Sequence, residues 1–283
     1  MRVIDKEITI VADLVEELCG IILDESKGYL IESRLGSLAE SCGCGSFTEL
    51  CQKVRRNGDH MLRSRIIDAI TTQETLFFRD TSPFEALQHK VIPEVIDAAA
   101  GSMFPKRMRI WSSASSTGQE VYSIAMTLCE LIPDILKWDI RILGTDISDS
   151  AVKHASLGQY ADHEIQRGMK PAMLRKYFTE VKNGWKVKDE LRILTAFQRR
   201  NLLEPFVDLG PFDVIFCRNV AIYFDAETKR DLFNRLAGRL TTNGYLFVGS
   251  SESLMDLGSR FRPCYHCRTV FYQPNKPQQV AMK

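Results

Sequence analysis

RIWSSASSTGQEVYSIAM, residues Arg109 to Met126, is the stretch on which the fold turns. An apolar run from Met108 to Ala114 suits a buried strand. A series of small side chains follows, and VYSIAMTLCELI then places apolar residues near the 3.6-residue period of a helix. Strand, small-residue turn and helix in that order open a strand–helix–strand crossover unit. The serines, Ala114 and Thr117 leave room for a ligand to approach the backbone. Gly118 is the only glycine among them, so the turn lacks the GxGxxG pattern that seats a dinucleotide pyrophosphate. A cofactor without phosphates fits better, and Glu120 would offer it a negative charge. The same letters also make an ordinary Ser or Thr N-cap with an acid in the first turn.

Outward from this stretch the rhythm repeats. IRILGTD (Ile140 to Asp146), FDVIFCRN (Phe212 to Asn219), YLFVGSS (Tyr245 to Ser251) and CRTVFYQ (Cys267 to Gln273) read as further strands. SAVKHASLG and AETKRDLFNRLAGRL read as helices between them, and Asn243-Gly244 as the turn that launches the fourth strand. The pattern predicts an α/β fold with a parallel sheet in residues 91–283. It breaks between about 161 and 197, where Asn183-Gly184 separates two alternating segments; this predicts a small antiparallel β subdomain inserted in the larger one. Residues 1–70 show no alternation. Ile8, Val11, Leu14, Val15, Leu18 and Ile22 form a helical stripe, which Gly28 interrupts. Tyr29, Leu30, Leu35 and Leu38 continue it as far as the turn at Gly43 to Gly45. Two more stripes, Phe47–Leu50–Cys51–Val54 and Leu62–Ile66–Ile67–Ile70, complete an all-helical N-terminal domain. Residues 71–90 join the two units, and the polar tail from Pro274 is expected to fray.

Composition narrows the function classes. An apolar share of 45%, a charged share of 26% and a net charge of +1 are those of an ordinary globular protein, without the basic surplus of a nucleic-acid binder. MRVIDKEITIVADL is charged from Arg2 onward and is no signal peptide, and no apolar stretch is long enough to span a membrane. The eight cysteines follow no framework and read as reduced thiols of a cytoplasmic protein. Cys264 and Cys267 form a CxxC, but no second ligand pair accompanies them, so no metal is expected. FRPCYHCRTVFYQ reads as one C-terminal strand with these thiols on it.

Open parallel sheets bind ligands beyond the C-terminal ends of their strands, and three such ends carry chemistry here. Asp146 closes the second strand, where an acid can accept hydrogen bonds from ribose hydroxyls or cap the helix near Ser148. Arg218, Asn219 and Tyr223 follow a buried strand, where an unpartnered Arg-Asn pair would be costly. Thr75, Phe77, Phe78 and Arg79 lie on the linker, either as a lid or as packing.

ITTQETLFFRD, RIWSSASSTGQEVYSIAM, GTDIS, NLLEP and GPFDVIFCRNVAIYF resemble, in order, the signature blocks of the chemotaxis receptor methyltransferases, the CheR family. The resemblance covers nearly the whole chain. It implies a Rossmann-like sheet that binds S-adenosylmethionine, releases S-adenosylhomocysteine and methylates glutamate side chains on the cytoplasmic domains of methyl-accepting chemoreceptors. Carried onto matching positions, Gln73, Thr75 and Arg79 come from the linker, and Glu120 faces the methionine part. Asp146 and Ile147 serve the ribose, Asn201 and Leu202 flank the adenine, and Arg218 and Asn219 complete the pocket. Arg79 and Tyr223 are the residues expected to orient the incoming carboxylate. Gln73 stands where several members have Asn, with a longer reach.

Two departures accompany the resemblance. The second N-terminal helix of the family carries several receptor-facing arginines; YLIESRLGSLAE keeps Arg34 alone, and Arg55, Arg56, Arg63 and Arg65 offer either a substitute patch or an ordinary solvated face. The loop in VKNGWKVKD is shorter than in members that grip a receptor C-terminal pentapeptide, which implies recognition independent of that tether. The rival readings are a small-molecule or nucleic-acid methyltransferase, a non-catalytic cofactor-binding signalling module and, more distantly, a hydride-transfer enzyme. A monomer is the simplest expectation.

Overall fold

The computed structural model describes residues 1–57, 59–100, 106–258 and 260–275. The expected frayed tail lies, beyond Asn275, outside the described residues. Among the described residues, four α-helices build the N-terminal unit: α1 (Asp5–Cys19), α2 (Gly28–Ser41), α3 (Phe47–Asn57) and α4 (His60–Ile70). Their apolar stripes meet in one core, with Val15, Ile31, Phe47, Val54 and Ile66 fully buried. Gly20 ends α1 in a left-handed cap at φ 73°, so Ile22 falls past the helix and is exposed. Gly28, expected as an interruption, is the first residue of α2, where its low helix propensity matters little. From Thr71 to Thr81 the chain is irregular. It then enters α5 (Ser82–Ala86) and α6 (Ile92–Ala100), joined by a widened turn over Leu87–Val91. Phe84, Leu87, Val91 and Ile92 pack into the core of the larger unit, so part of the expected linker belongs to that unit.

The larger unit is a sheet of seven strands among the described residues. In chain order its elements are β1 (Arg107–Ser112), α7 (Gln119–Leu131), β2 (Asp139–Asp146) and α8 (Asp149–Leu157). The insertion comes next, with β3 (Gln159–Tyr160), α9 (Asp162–Gln166), α10 (Pro171–Tyr177), β4 (Phe178–Val181), β5 (Gly184–Val187) and α11 (Asp189–Arg192). The chain then completes the sheet with β6 (Thr195–Arg199), β7 (Phe212–Cys217), α12 (Ala226–Ala237), β8 (Leu240–Val248), β9 (Phe261–His266) and β10 (Thr269–Pro274). The strand order is β6-β2-β1-β7-β8-β10-β9. Neighbours from β6 to β8 run parallel, while β10 is antiparallel to both β8 and β9. Trp111, Ile110 and Val214 sit at the sheet's buried centre.

Three expectations are corrected. The antiparallel insertion forms a separate sheet ordered β3-β5-β4, but Thr195–Arg199 is not part of it: this segment pairs parallel with Ile142–Asp146 at the edge of the main sheet. Its partner lies about fifty residues back in sequence, and none of its side chains is fully buried, so no clean apolar alternation marks it. The C-terminal strand is a hairpin, β9–β10, that turns through Cys267 (φ 47°) and Arg268 (φ 58°). Two left-handed residues match the twist of a two-residue hairpin, but neither is the Asn or Gly that usually announces one. The Asn243-Gly244 pair does not launch β8. It lies within it as a bulge, between the pairs Phe212–Leu240 and Val214–Tyr245.

Candidate active site

Sheet order reverses between β1 and β7, and the loops after the two strands part there. A cleft opens at this point. Thr75, Arg79, Glu120, Asp146, Ile147, Asn201, Leu202, Arg218, Asn219 and Tyr223 all line it. Gln73 is the expected site residue that does not. Its amide donates to Ser148 Oγ at 2.9 Å and Ser150 Oγ at 3.1 Å, and its main-chain oxygen accepts from Ser116 Oγ at 3.1 Å.

The turn after β1 is not an ordinary side-chain cap. Gly118 occupies the N-cap position of α7 at φ 96°, with no side-chain hydrogen bond to the helix. Glu120, in the helix's first turn, accepts from Ser112 Oγ at 2.8 Å and pairs with Arg218 Nη1 at 2.8 Å. Arg218 is nearly fully buried, and its other terminal nitrogen donates to Asp80 Oδ2 at 2.7 Å and to the carbonyl of Arg79 at 3.0 Å. One guanidinium thus ties the helix acid to the linker. It does so across a linker whose backbone is left-handed at Phe78 (φ 53°), Asp80 (φ 64°) and Thr81 (φ 35°), conformations that L-residues keep only when their surroundings enforce them. Arg79, held at its carbonyl, lines the cleft while its Nη1 donates to Glu74 O at 2.9 Å.

Asp146 does not cap α8; Ser148 does, accepting from Ala151 N at 3.1 Å. The Asp146 carboxylate accepts from Ser116 N at 2.8 Å and Ser148 N at 3.0 Å, which fixes it at the mouth of β2. Burial pushes its pKa above the usual aspartate value and outweighs the lowering effect of those bonds. A buried carboxylate with lone pairs remaining is suited to accept from a sugar diol. The two carboxylates that face the single Arg218 guanidinium suit a ligand with a cationic group.

The sequence reading missed the fourth wall of the cleft, which comes from the helical unit and the start of the linker: Cys19, Ile21, Thr71 and Thr72 line it too. Asn201 Nδ2 donates to Leu18 O at 2.9 Å, and Ile22 N donates to Tyr223 O at 3.0 Å. Ser148 Oγ donates to Asp68 Oδ1 and Ser64 Oγ to Asp149 Oδ2, each at 2.6 Å. Ile147 packs on the helical core. Nothing in the local pattern of α1 signals a role in a site some 180 residues away; only the fold brings them together. Arg34, one of the candidate receptor-facing arginines, donates to the carbonyls of Ile70 (2.6 Å) and Thr71 (3.1 Å) and so secures the start of the linker. Of the substitute patch, Arg55 pairs with Glu17 at 3.5 Å and Arg65 donates to Ser41 Oγ at 2.9 Å.

Comparison with known proteins identifies the family. The family model described as "CheR methyltransferase, all-alpha domain" matches residues 6–71, and "CheR methyltransferase, SAM binding domain" matches residues 73–270. "Chemotaxis protein methyltransferase 1" of Pseudomonas aeruginosa is 44% identical over 254 residues, which cover 88% of this chain and 90% of that protein. "Chemotaxis protein methyltransferase Cher2" of Pseudomonas putida is 41% identical over 263 residues, or 92% of this chain and 94% of that one. Among solved structures, the glycopeptide N-methyltransferase MtfA complexed with S-adenosylmethionine is similar at 11% identity and a TM-score of 0.32, covering 55% of this chain and 48% of its own. With both family domains matched in order and relatives above 40% identity along most of its length, the chain belongs to the CheR methyltransferase family.

Proposed function

We propose that this chain transfers the methyl group of S-adenosylmethionine to glutamate side chains on the cytoplasmic domains of methyl-accepting chemoreceptors, giving glutamate methyl esters. The observation that carries the reading is the convergence of Arg79, Glu120, Asp146, Asn219 and Tyr223 on one cleft at the reversal of strand order. Family membership and the printed names of the relatives support the substrate class. The donor, when bound, supplies an electrophilic methyl on a sulfonium. Residues Asp146, Ile147, Asn201 and Leu202 would hold its nucleoside end, and Thr75, Glu120, Arg218 and Asn219 its amino-acid end.

A glutamate carboxylate with an ordinary pKa of about 4.3 is ionised at neutral pH, so the chain has no proton to remove. An oxygen–methyl bond forms as the sulfur–methyl bond breaks, and no proton moves. The residues at the cleft need only align the carboxylate and keep water out, effects worth up to about 7–11 kcal/mol in well-oriented systems. Tyr223 orients the carboxylate by its hydroxyl. Arg79 assists without binding the substrate tightly, since ground-state grip alone does not accelerate transfer. We further propose a cytoplasmic monomer that binds no nucleic acid and recognises receptors without a pentapeptide tether, in keeping with the two-residue turn between β4 and β5. Calorimetry with a receptor-tail pentapeptide tests the last point, and micromolar binding would refute it.

The deciding experiment is transfer of radiolabelled methyl from S-adenosylmethionine to membranes holding the organism's chemoreceptors, followed by mild alkali. Alkali-labile label on receptor bands is the expected result. Cofactor binding without receptor label would leave the fold and cofactor site standing and remove the substrate.

A further inference from the structure

The cleft's floor rests on a carboxylate that does not line it. Asn219 stands just after β7 in a left-handed conformation, φ 57°. The N–H of this residue belongs to the peptide that joins it to Arg218, so the tilt of that peptide plane sets the departure of both side chains. The N–H donates to Glu252 Oε2 at 2.8 Å. The same oxygen accepts from Gly249 N at 2.6 Å, and Glu252 N closes a tight turn onto Gly249 O at 2.9 Å. Glu252 therefore projects from the turn after β8 and clasps the end of β7, the strand beside it. Its other oxygen is buried and has no partner among the described residues. Gly249 has no room for a side chain: a Cβ there would stand 2.6 Å from Asn219 Nδ2 and 2.7 Å from Glu252 Oε2. The clasp has been built at the expense of any larger residue.

We propose that Glu252 is a positioning residue for methyl transfer: its carboxylate fixes the Arg218–Asn219 peptide and thereby sets both side chains in the cleft. The proposal rests on the reading of the cleft as the donor site. Without the clasp, Asn219 would relax toward the ordinary right-handed or extended regions, and its side chain would leave the cleft wall. Arg218 would lose its alignment with Glu120 and Asp80. What the clasp needs is an acceptor oxygen for two N–H groups; a glutamine supplies one, and its amide nitrogen would occupy the position of the unpartnered oxygen.

The test is S-adenosylhomocysteine binding by calorimetry and methyl transfer to receptor membranes, on the full chain, with thermal melting as the folding control. Glu252→Ala should weaken binding about tenfold or more, the loss expected for a hydrogen bond to a charged group, while melting stays cooperative. Glu252→Gln should recover most of that affinity; a loss equal to that of alanine would show that charge matters and overturn the positioning role. Wild-type affinity and turnover in Glu252→Ala would overturn it outright. If the alanine variant does not melt cooperatively, Gly249→Ala takes its place, because it crowds the same clasp while keeping the carboxylate. Weakened binding is then expected, and wild-type binding would overturn the proposal. Failure of the wild-type chain to bind the ligand at all would instead remove the cleft reading on which the proposal stands.

Discussion

Asp146 is held by two main-chain N–H groups and still titrates above an ordinary aspartate, because burial outweighs those bonds. The consequences have opposite signs with and without ligand. A raised folded-state value means that the unliganded protein binds the proton more readily than the unfolded chain does. This group's contribution is thus favourable on the acid side and lost as pH rises through the folded value. Ligand hydroxyls need the ionised form, so S-adenosylhomocysteine affinity should be full at neutral pH and fall on acidification, starting above the ordinary value of about 3.9. Calorimetric titrations from neutral to mildly acidic pH check this; a flat profile would remove Asp146 from the ligand's partners. At Tyr223 the expectation is kinetic. Tyr223→Phe should lower turnover about tenfold to a hundredfold, the range for one hydrogen bond to a carboxylate, with donor affinity nearly intact. Equal losses in both would assign the residue to the donor instead. Residues at strand ends were legible because a parallel sheet dictates where its ligands sit, and Asp146 needed only its position after IRILGT. Cys19, Ile21, Asp80 and Glu252 were not: the first two reach the cleft only because the fold lays the end of α1 against it, and the last two act through Arg218 and the Arg218–Asn219 peptide.

At the scale of elements, the helices and central strands arise from period alone: the stripes of α1, α3, α4 and α12 and the runs of β1, β2 and β7 all lie where apolar spacing places them. The failures share a cause. The edge strand β6, the β9–β10 turn and the bulge in β8 are set by distant partners or by backbone conformations that their residues do not advertise. One such join is open to a stability test. Gly168, at φ 91°, lies against the linker so closely that a Cβ would stand 2.0 Å from the carbonyl oxygen of Phe77. Gly168→Ala should cost about 1–3 kcal/mol from backbone strain alone, read as a lower denaturation midpoint in urea. An unchanged midpoint would mean that the linker gives way at no cost.

For the whole molecule, the cleft takes its walls from both units, and hydrogen bonds cross between them at Asn201–Leu18, Ile22–Tyr223, Ser148–Asp68 and Ser64–Asp149. Unfolding of the liganded protein should therefore be one calorimetric transition. A ligand at a hundred times its dissociation constant should stabilise it by about 2.7 kcal/mol. Two transitions, of which only the later responds to ligand, would place the binding energy in the sheet unit alone. The Ile22–Tyr223 bond has a further consequence, because it is main chain on both sides. Amides and carbonyls persist whatever side chains they carry. Position 22 can thus drift in relatives without breaking this seam, position 223 is held by the work of its hydroxyl and not by this bond, and covariation between the two would not disclose it.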